Sequence, residues 1–129
     1  MITKGAHHVS LDTTDLAASK RFYGDLLGLA EIERPDFGFP GVWYQAGPVQ
    51  LHIIEVPEGV DVGSAPPALT PLARHVAFEV EDYEDARASL AAAGCELIAT
   101  GEDVGQIFTR DPDGNVVEFI RPGGRLGRR

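Results

Sequence analysis

Apolar and polar residues alternate at the start of the chain: Val9 and Leu11 fall on one side of segment 8–13, with His8, Ser10 and Asp12 on the other. A two-residue period is that of a strand with one buried face. The next stretch, LAASKRFYGDLLG, reads as an amphipathic helix with Asp15 as its N-cap and Gly28 as its stop. Phe22 and Tyr23 share the spacing of Leu16, Leu26 and Leu27 and are expected in the core. Three strands are predicted to follow, at about 29–34, 42–46 and 49–55. The order then returns. Val76, Phe78 and Val80 oppose His75, Ala77 and Glu79 in a strand, and Asp82 caps a helix in which Tyr83, Ala86, Leu90 and Ala93 recur at helical spacing up to Gly94. Strands at about 96–100, 105–110 and 115–121 complete the second set. Asp111-Pro112-Asp113-Gly114-Asn115 supplies the turn residues of a hairpin, so the last two strands should pair antiparallel.

The two sets are copies of one pattern. An offset of 67 residues lays HVSLDTTDL, from His8, over HVAFEVEDY, from His75; an offset of 66 lays VQLHIIE over NVVEFIR and brings His52 onto Glu118. The prediction is an α+β fold of two βαβββ modules, about 5–56 and about 74–122. A linker over 57–73, carrying Pro57, Pro66, Pro67 and Pro71, joins them, and a basic tail covers 123–129.

Composition narrows the function classes. The chain has 129 residues, 43% of them hydrophobic, a length and apolar content suited to one globular domain rather than to disorder, collagen or coiled coil. No uncharged apolar stretch approaches the roughly 20 residues of a membrane span, and MITKGAHHVS has no signal-like apolar region, so a cytoplasmic protein without a membrane partner is expected. Its single cysteine, Cys95, excludes an intrachain disulfide and paired-cysteine metal motifs. With 20 acidic against 11 basic residues the net charge is −9, and the only basic cluster is Arg121, Arg125, Arg128 and Arg129. Nucleic acid is a poor partner for such a chain.

Candidate chemistry sits on the polar faces of matched strands. His8 and His75 occupy equivalent positions in the two first strands, His52 and Glu118 in the two last. Leu51 and Ile53 oppose Gln50, His52 and Ile54, just as Val117 and Phe119 oppose Val116, Glu118 and Ile120. Taken singly, each histidine would read as a half-exposed strand side chain and Glu118 as the partner of an arginine. The repeat is what groups them. A carboxylate between Val116 and Ile120 is costly to bury without a counter-charge, and three imidazoles with one carboxylate suit a divalent first-row cation. His7, on the side of Val9 and Leu11, is expected to take no part. Trp43, Tyr44 and Phe108 are candidates to bind substrate, although core packing is an equal reading of aromatic strand residues. Arg110, beside the turn, is expected in solvent, and Asp12 and Glu79 share the side of their histidines.

At these residues the sequence resembles the vicinal oxygen chelate superfamily, which includes glyoxalase I, methylmalonyl-CoA epimerase, fosfomycin-resistance enzymes, extradiol dioxygenases and bleomycin-resistance proteins. The resemblance is carried by HHVSLDTTDLAASKRFYGDLLGL at 7–29, QLHII at 50–54, RHVAFEVED at 74–82 and FTRDPDGNVVEFI at 108–120. It implies modules whose sheets curl into a cup around one divalent ion (iron, manganese, nickel, cobalt or zinc), held by His8, His52, His75 and Glu118. It further implies a small-molecule substrate with adjacent oxygens, and a homodimer in which the modules pair within one chain or across two. Such an ion keeps about two open positions if octahedral and stabilises an enediolate-like oxyanion, so a glyoxalase-type lyase or isomerase is the leading expectation. Glyoxalase I enzymes carry a carboxylate where this chain has His52, leaving Glu118 as the candidate base. Two alternatives stand beside it. Without His52, the set His8, His75 and Glu118 is that of an Fe(II) ring-cleaving dioxygenase, although the tyrosine such enzymes place before the ligand glutamate is here Phe108. A bleomycin-resistance-type binding protein would need no reaction at all.

Overall fold

The alternation at the start of the chain becomes β1 (His8–Thr13), and Asp15 turns it into a helix by accepting a hydrogen bond from the Ala18 amide at 3.1 Å. That helix, α1 (Leu16–Lys20), continues as a wider π-helical stretch over Arg21–Leu26. Then come β2 (Ala30–Ile32), β3 (Gly41–Ala46) and β4 (Val49–Glu55). The strands lie in the order β1-β4-β3-β2, with β1 and β4 parallel and the other neighbours antiparallel. Val42, Tyr44, Leu51 and Ile53 are buried with Phe22 and Tyr23 of the helical segment, forming the core of this half. Inside it the Ser19 hydroxyl donates to Thr13 Oγ1 at 2.8 Å, so two buried polar groups satisfy each other.

The computed structural model describes residues 1–125, and the chain divides into two units, Met1–Gly63 and Ser64–Arg129. The division falls inside the proline-bearing segment 57–73. In the second unit β5 (His75–Glu79), α2 (Tyr83–Ala92), β6 (Ile98–Gly101), β7 (Gln106–Arg110) and β8 (Val116–Ile120) repeat the topology as β5-β8-β7-β6. β5 runs parallel to β8, and the remaining pairs are antiparallel. The architecture is therefore α+β, with two open mixed sheets of one design. Asp82 caps α2 through the Asp85 amide at 2.9 Å, and Gly94 ends it at φ 82°. Buried Tyr83 ties helix to sheet: its hydroxyl donates to the Gln106 carbonyl at 3.0 Å and accepts from the Gly101 amide at 2.9 Å. The predicted hairpin closes on Asp111, whose carboxylate accepts from the amides of Asp113 and Asn115 at 2.9 Å. Among the described residues no helix is long and apolar enough to cross a membrane. Arg128 and Arg129 of the basic cluster lie outside them.

Candidate functional site

In the first unit, β1 pairs with β4 so that Ser10 stands opposite His52, and across β3 and β4 Trp43 stands opposite His52. Alternation then puts His8, Gln50, His52 and Trp43 on the side of the sheet away from the buried Leu51, Ile53, Val42 and Tyr44. The imidazole of His52 lies between two rings, stacked on His8 at 4.0 Å and on Trp43 at 3.9 Å between centroids. Its Nε2 is 2.9 Å from the Gln50 amide oxygen. Burial lowers the His52 pKa below the usual histidine value, and His8, His7 and Arg34 add to the effect, so the ring favours its neutral, ligand-competent form.

The second unit holds the other two residues. Ala77 of β5 and Phe108 of β7 flank Glu118 of β8, and His75 reaches it from two residues along β5. His75 Nε2 is 2.9 Å from Glu118 Oε1, while His75 Nδ1 is 2.7 Å from the Ala73 carbonyl oxygen. The second carboxylate oxygen accepts from the Gln106 amide at 3.2 Å. Phe108 sets its ring edge-to-face against His75 at 5.5 Å. Glu118 is only 6% exposed, so these contacts carry most of what water would otherwise supply. In each unit an aromatic residue of the third strand thus stands opposite the fourth strand's candidate ligand: Trp43 against His52, Phe108 against Glu118.

Against that geometry, the profile of the Glyoxalase/Bleomycin resistance protein/Dioxygenase superfamily matches residues 5–119. The chain belongs to this superfamily. Among curated relatives it is similar to Glyoxylase I 4 of Arabidopsis thaliana, at 28% identity over 119 residues that cover 88% of this chain and 68% of that one. It is similar to the protein YaeR of Escherichia coli K12 at 32% identity, covering 90% of this chain and 95% of that one. Among solved structures, a glyoxalase family protein of Bacillus anthracis superposes with a TM-score of 0.75 at 27% identity, over 94% of this chain and 97% of that one.

Members of the glyoxalase superfamily typically use a divalent metal. The donor chemistry in this chain suits one. Both ring nitrogens of His75 face oxygen acceptors, and a neutral imidazole has only one N–H to offer. His75 and Glu118 would be the residues to hold a divalent cation, with the Ala73 carbonyl orienting the ring as the outer partners of metal-bound histidines do. Among the described residues no three His, Cys, Asp or Glu side chains gather closely enough to hold an ion, so His8 with His52 and His75 with Glu118 stand as two pairs.

The remaining candidates are placed as follows. Trp43 and Phe108 line the same sides as the histidines of their own units, whereas Tyr44, one residue from Trp43, points into the core, its hydroxyl 3.0 Å from where a Cβ on Gly24 would lie. Burial raises the Tyr44 pKa, with the charges of Glu31 and Asp25 adding. Arg110 is tied to Glu96 at 3.0 Å. His7 does not turn away with Val9 and Leu11: its Nδ1 is 2.9 Å from His8 Nδ1, because regular alternation begins only at His8, the first residue of β1. Gln50 and Gln106, which hold His52 and Glu118, are residues that strand periodicity alone does not single out.

Proposed function

We propose that this protein is a metal-dependent lyase or isomerase of glyoxalase type, acting on a small substrate with adjacent oxygens, with His8, His52, His75 and Glu118 as the ligands of one divalent ion. The observation that carries the reading is the His75–Glu118 pair, in which an imidazole whose two nitrogens both meet oxygen acceptors faces a nearly buried carboxylate. When bound, a divalent ion supplies Lewis-acid stabilisation of negative charge developing on a substrate oxygen. The chain's own residues do the rest. Glu118 Oε2, engaged by the neutral Gln106 amide, is the oxygen assigned to take a proton from carbon beside a carbonyl, and Gln106 fixes the carboxylate's orientation. Phe108 and the buried Val116 keep the neighbourhood of Glu118 apolar, which strengthens its interactions with charge. Trp43 and Phe108 offer flat faces to the substrate. Phe108 has no hydroxyl beside His75, which favours this chemistry over ring-cleaving oxygenation. A dimer acting in the cytoplasm completes the proposal.

Two measurements test it. Protein purified without a metal-affinity step should contain close to one equivalent of a first-row divalent metal, which His75→Ala and Glu118→Gln variants lose. It should also convert the hemithioacetal of methylglyoxal and glutathione without oxygen, with Glu118→Gln down by about a hundredfold or more. Oxygen uptake with catechols and Fe(II), in place of anaerobic turnover, would overturn the lyase assignment. Unchanged metal content in both variants would overturn the ligand set.

A further inference from the structure

We infer that Arg34, framed by Phe37 and Phe39 and linked through Phe37 to Trp43, is a subsite for an oxyanion group of the substrate, a carboxylate or a phosphate carried on a flat or apolar body. The inference rests on the proposed function for the place of the reaction, but on separate residues for the recognition.

The guanidinium carbon of Arg34 lies 5.1 Å from the centroids of both the Phe37 and the Phe39 ring. Those rings are 5.9 Å apart, Phe37 is 6.0 Å from Trp43, and Trp43 stacks on His52 at 3.9 Å. An unbroken series of ring contacts therefore leads from the candidate ligand His52 to a cation. Exposed aromatic faces are costly to leave in water, yet Phe37 is 51% and Phe39 37% exposed. Arg34 lies past the end of β2 against Gly41, which is two residues from Trp43 on β3, so the arginine sits on the His52 side of the sheet.

The cation itself lacks a counter-charge. Arg34 Nε is buried without a hydrogen-bond partner, and among the described residues no carboxylate pairs with the guanidinium, in a chain that carries 20 acidic side chains. Among the described residues Arg87, Arg110 and Arg125 each find an acid and Arg21, Arg74 and Arg121 do not, but only Arg34 leaves a buried side-chain nitrogen without a hydrogen bond. Gly41 packs directly against the group: a Cβ there would lie 2.7 Å from the Ile53 carbonyl oxygen and 2.8 Å from Arg34 Nε and its guanidinium carbon. Ring faces hold the guanidinium plane, as arginine favours, and leave its edge to make the paired N–H bonds that carboxylate and phosphate accept. A group of positive charge near His52 with no carboxylate at ion-pair distance among the described residues is electrostatically incomplete, and an anion on the substrate completes it.

Trp43 is the only tryptophan in the chain, so its fluorescence reports occupancy of this row of rings directly. The test titrates benzoate, phenyl phosphate and the uncharged benzyl alcohol into the parent protein and into Arg34→Gln, Arg34→Lys and Glu118→Gln variants. The parent should bind the two anions about tenfold or more tighter than the alcohol, the worth of one charge-assisted pair. Arg34→Gln should lose that preference and Arg34→Lys keep part of it. Glu118→Gln should keep it in full, which separates this subsite from an ion at His75 and Glu118. In the unaltered fold, the Arg34 Nε–H resonance, identified by its absence in the Arg34→Lys spectrum, should shift with benzoate and stay still with benzyl alcohol. A parent without anion preference, a preference that survives Arg34→Gln, or an unmoved Arg34 resonance would overturn the inference. Loss of the preference in Glu118→Gln, with Arg34→Gln unaffected, would place the anion at the metal instead.

Discussion

Trp43 and Tyr44 are neighbours in sequence and go to opposite sides of one strand, so two aromatic residues of similar bulk acquire different work. Trp43 lies flat on an imidazole, and Tyr44 is 2% exposed in the core. Composition cannot separate them, but register can: Trp43 stands opposite His52, and Tyr44 opposite Leu51. Burial, first, and then Glu31 and Asp25 hold the Tyr44 hydroxyl above its ordinary pKa of 10.0. The consequence for stability has a definite sign. Below pH 10 both folded and unfolded chains keep the proton, and as pH rises above that value the unfolded chain gives it up first, so folding weakens towards alkali. Urea unfolding midpoints should therefore fall between about pH 9 and 11, and the fall should be shallower in Tyr44→Phe. Equal slopes in the two proteins would show that the hydroxyl is not held in the core as described.

At the scale of elements, the two helices show what patterning reveals and what it hides. Asp15 and Asp82 announce both N-termini and make the capping bonds expected of them. Nothing in the spelling of RFYGDL announces that the first helix widens over Arg21–Leu26, or how closely that stretch packs on Tyr44. Gly24 is the clearest sign. Glycine inside a helix costs up to about 1 kcal/mol relative to alanine, so Gly24→Ala would stabilise an isolated helix. Here its Cβ would meet Tyr44 Oη at 3.0 Å, whereas the next ring atoms lie at 3.5 and 3.6 Å, ordinary contact distances. Gly24→Ala should thus destabilise the parent by about 1 kcal/mol, and the same change made in Tyr44→Phe should be neutral or stabilising. A double-mutant cycle by urea denaturation reads the sign directly, and additive effects would show that the tyrosine does not set the glycine.

For the whole molecule, duplication is what groups four scattered residues as a candidate set. The offset that lays His8 on His75 and His52 on Glu118 required no structure, and strand alternation brought each pair to one face. Gln106 and Arg34 were not legible in that way, since their roles depend on where long side chains end: an amide on a carboxylate oxygen, a guanidinium over rings from the loop before β3. The duplication also carries a thermodynamic consequence. Each unit supplies two of the four proposed ligands, and a pair alone leaves most of a first-row ion's coordination to water. Full affinity should then depend on both pairs. An ion at about a hundredfold above its dissociation constant adds about 2.7 kcal/mol to folding, which raises the melting temperature by several degrees in a chain of this size. Adding Ni(II), Mn(II) or Zn(II) to chelator-treated protein should produce that rise with one of them at least. The rise should disappear in Glu118→Gln, and equally in a His8→Ala/His52→Ala double variant that leaves His75 and Glu118 untouched, while His7→Ala should retain it. If the double variant responds like the parent, the histidines of the first unit do not ligate, and the metal belongs to the His75–Glu118 pair without them.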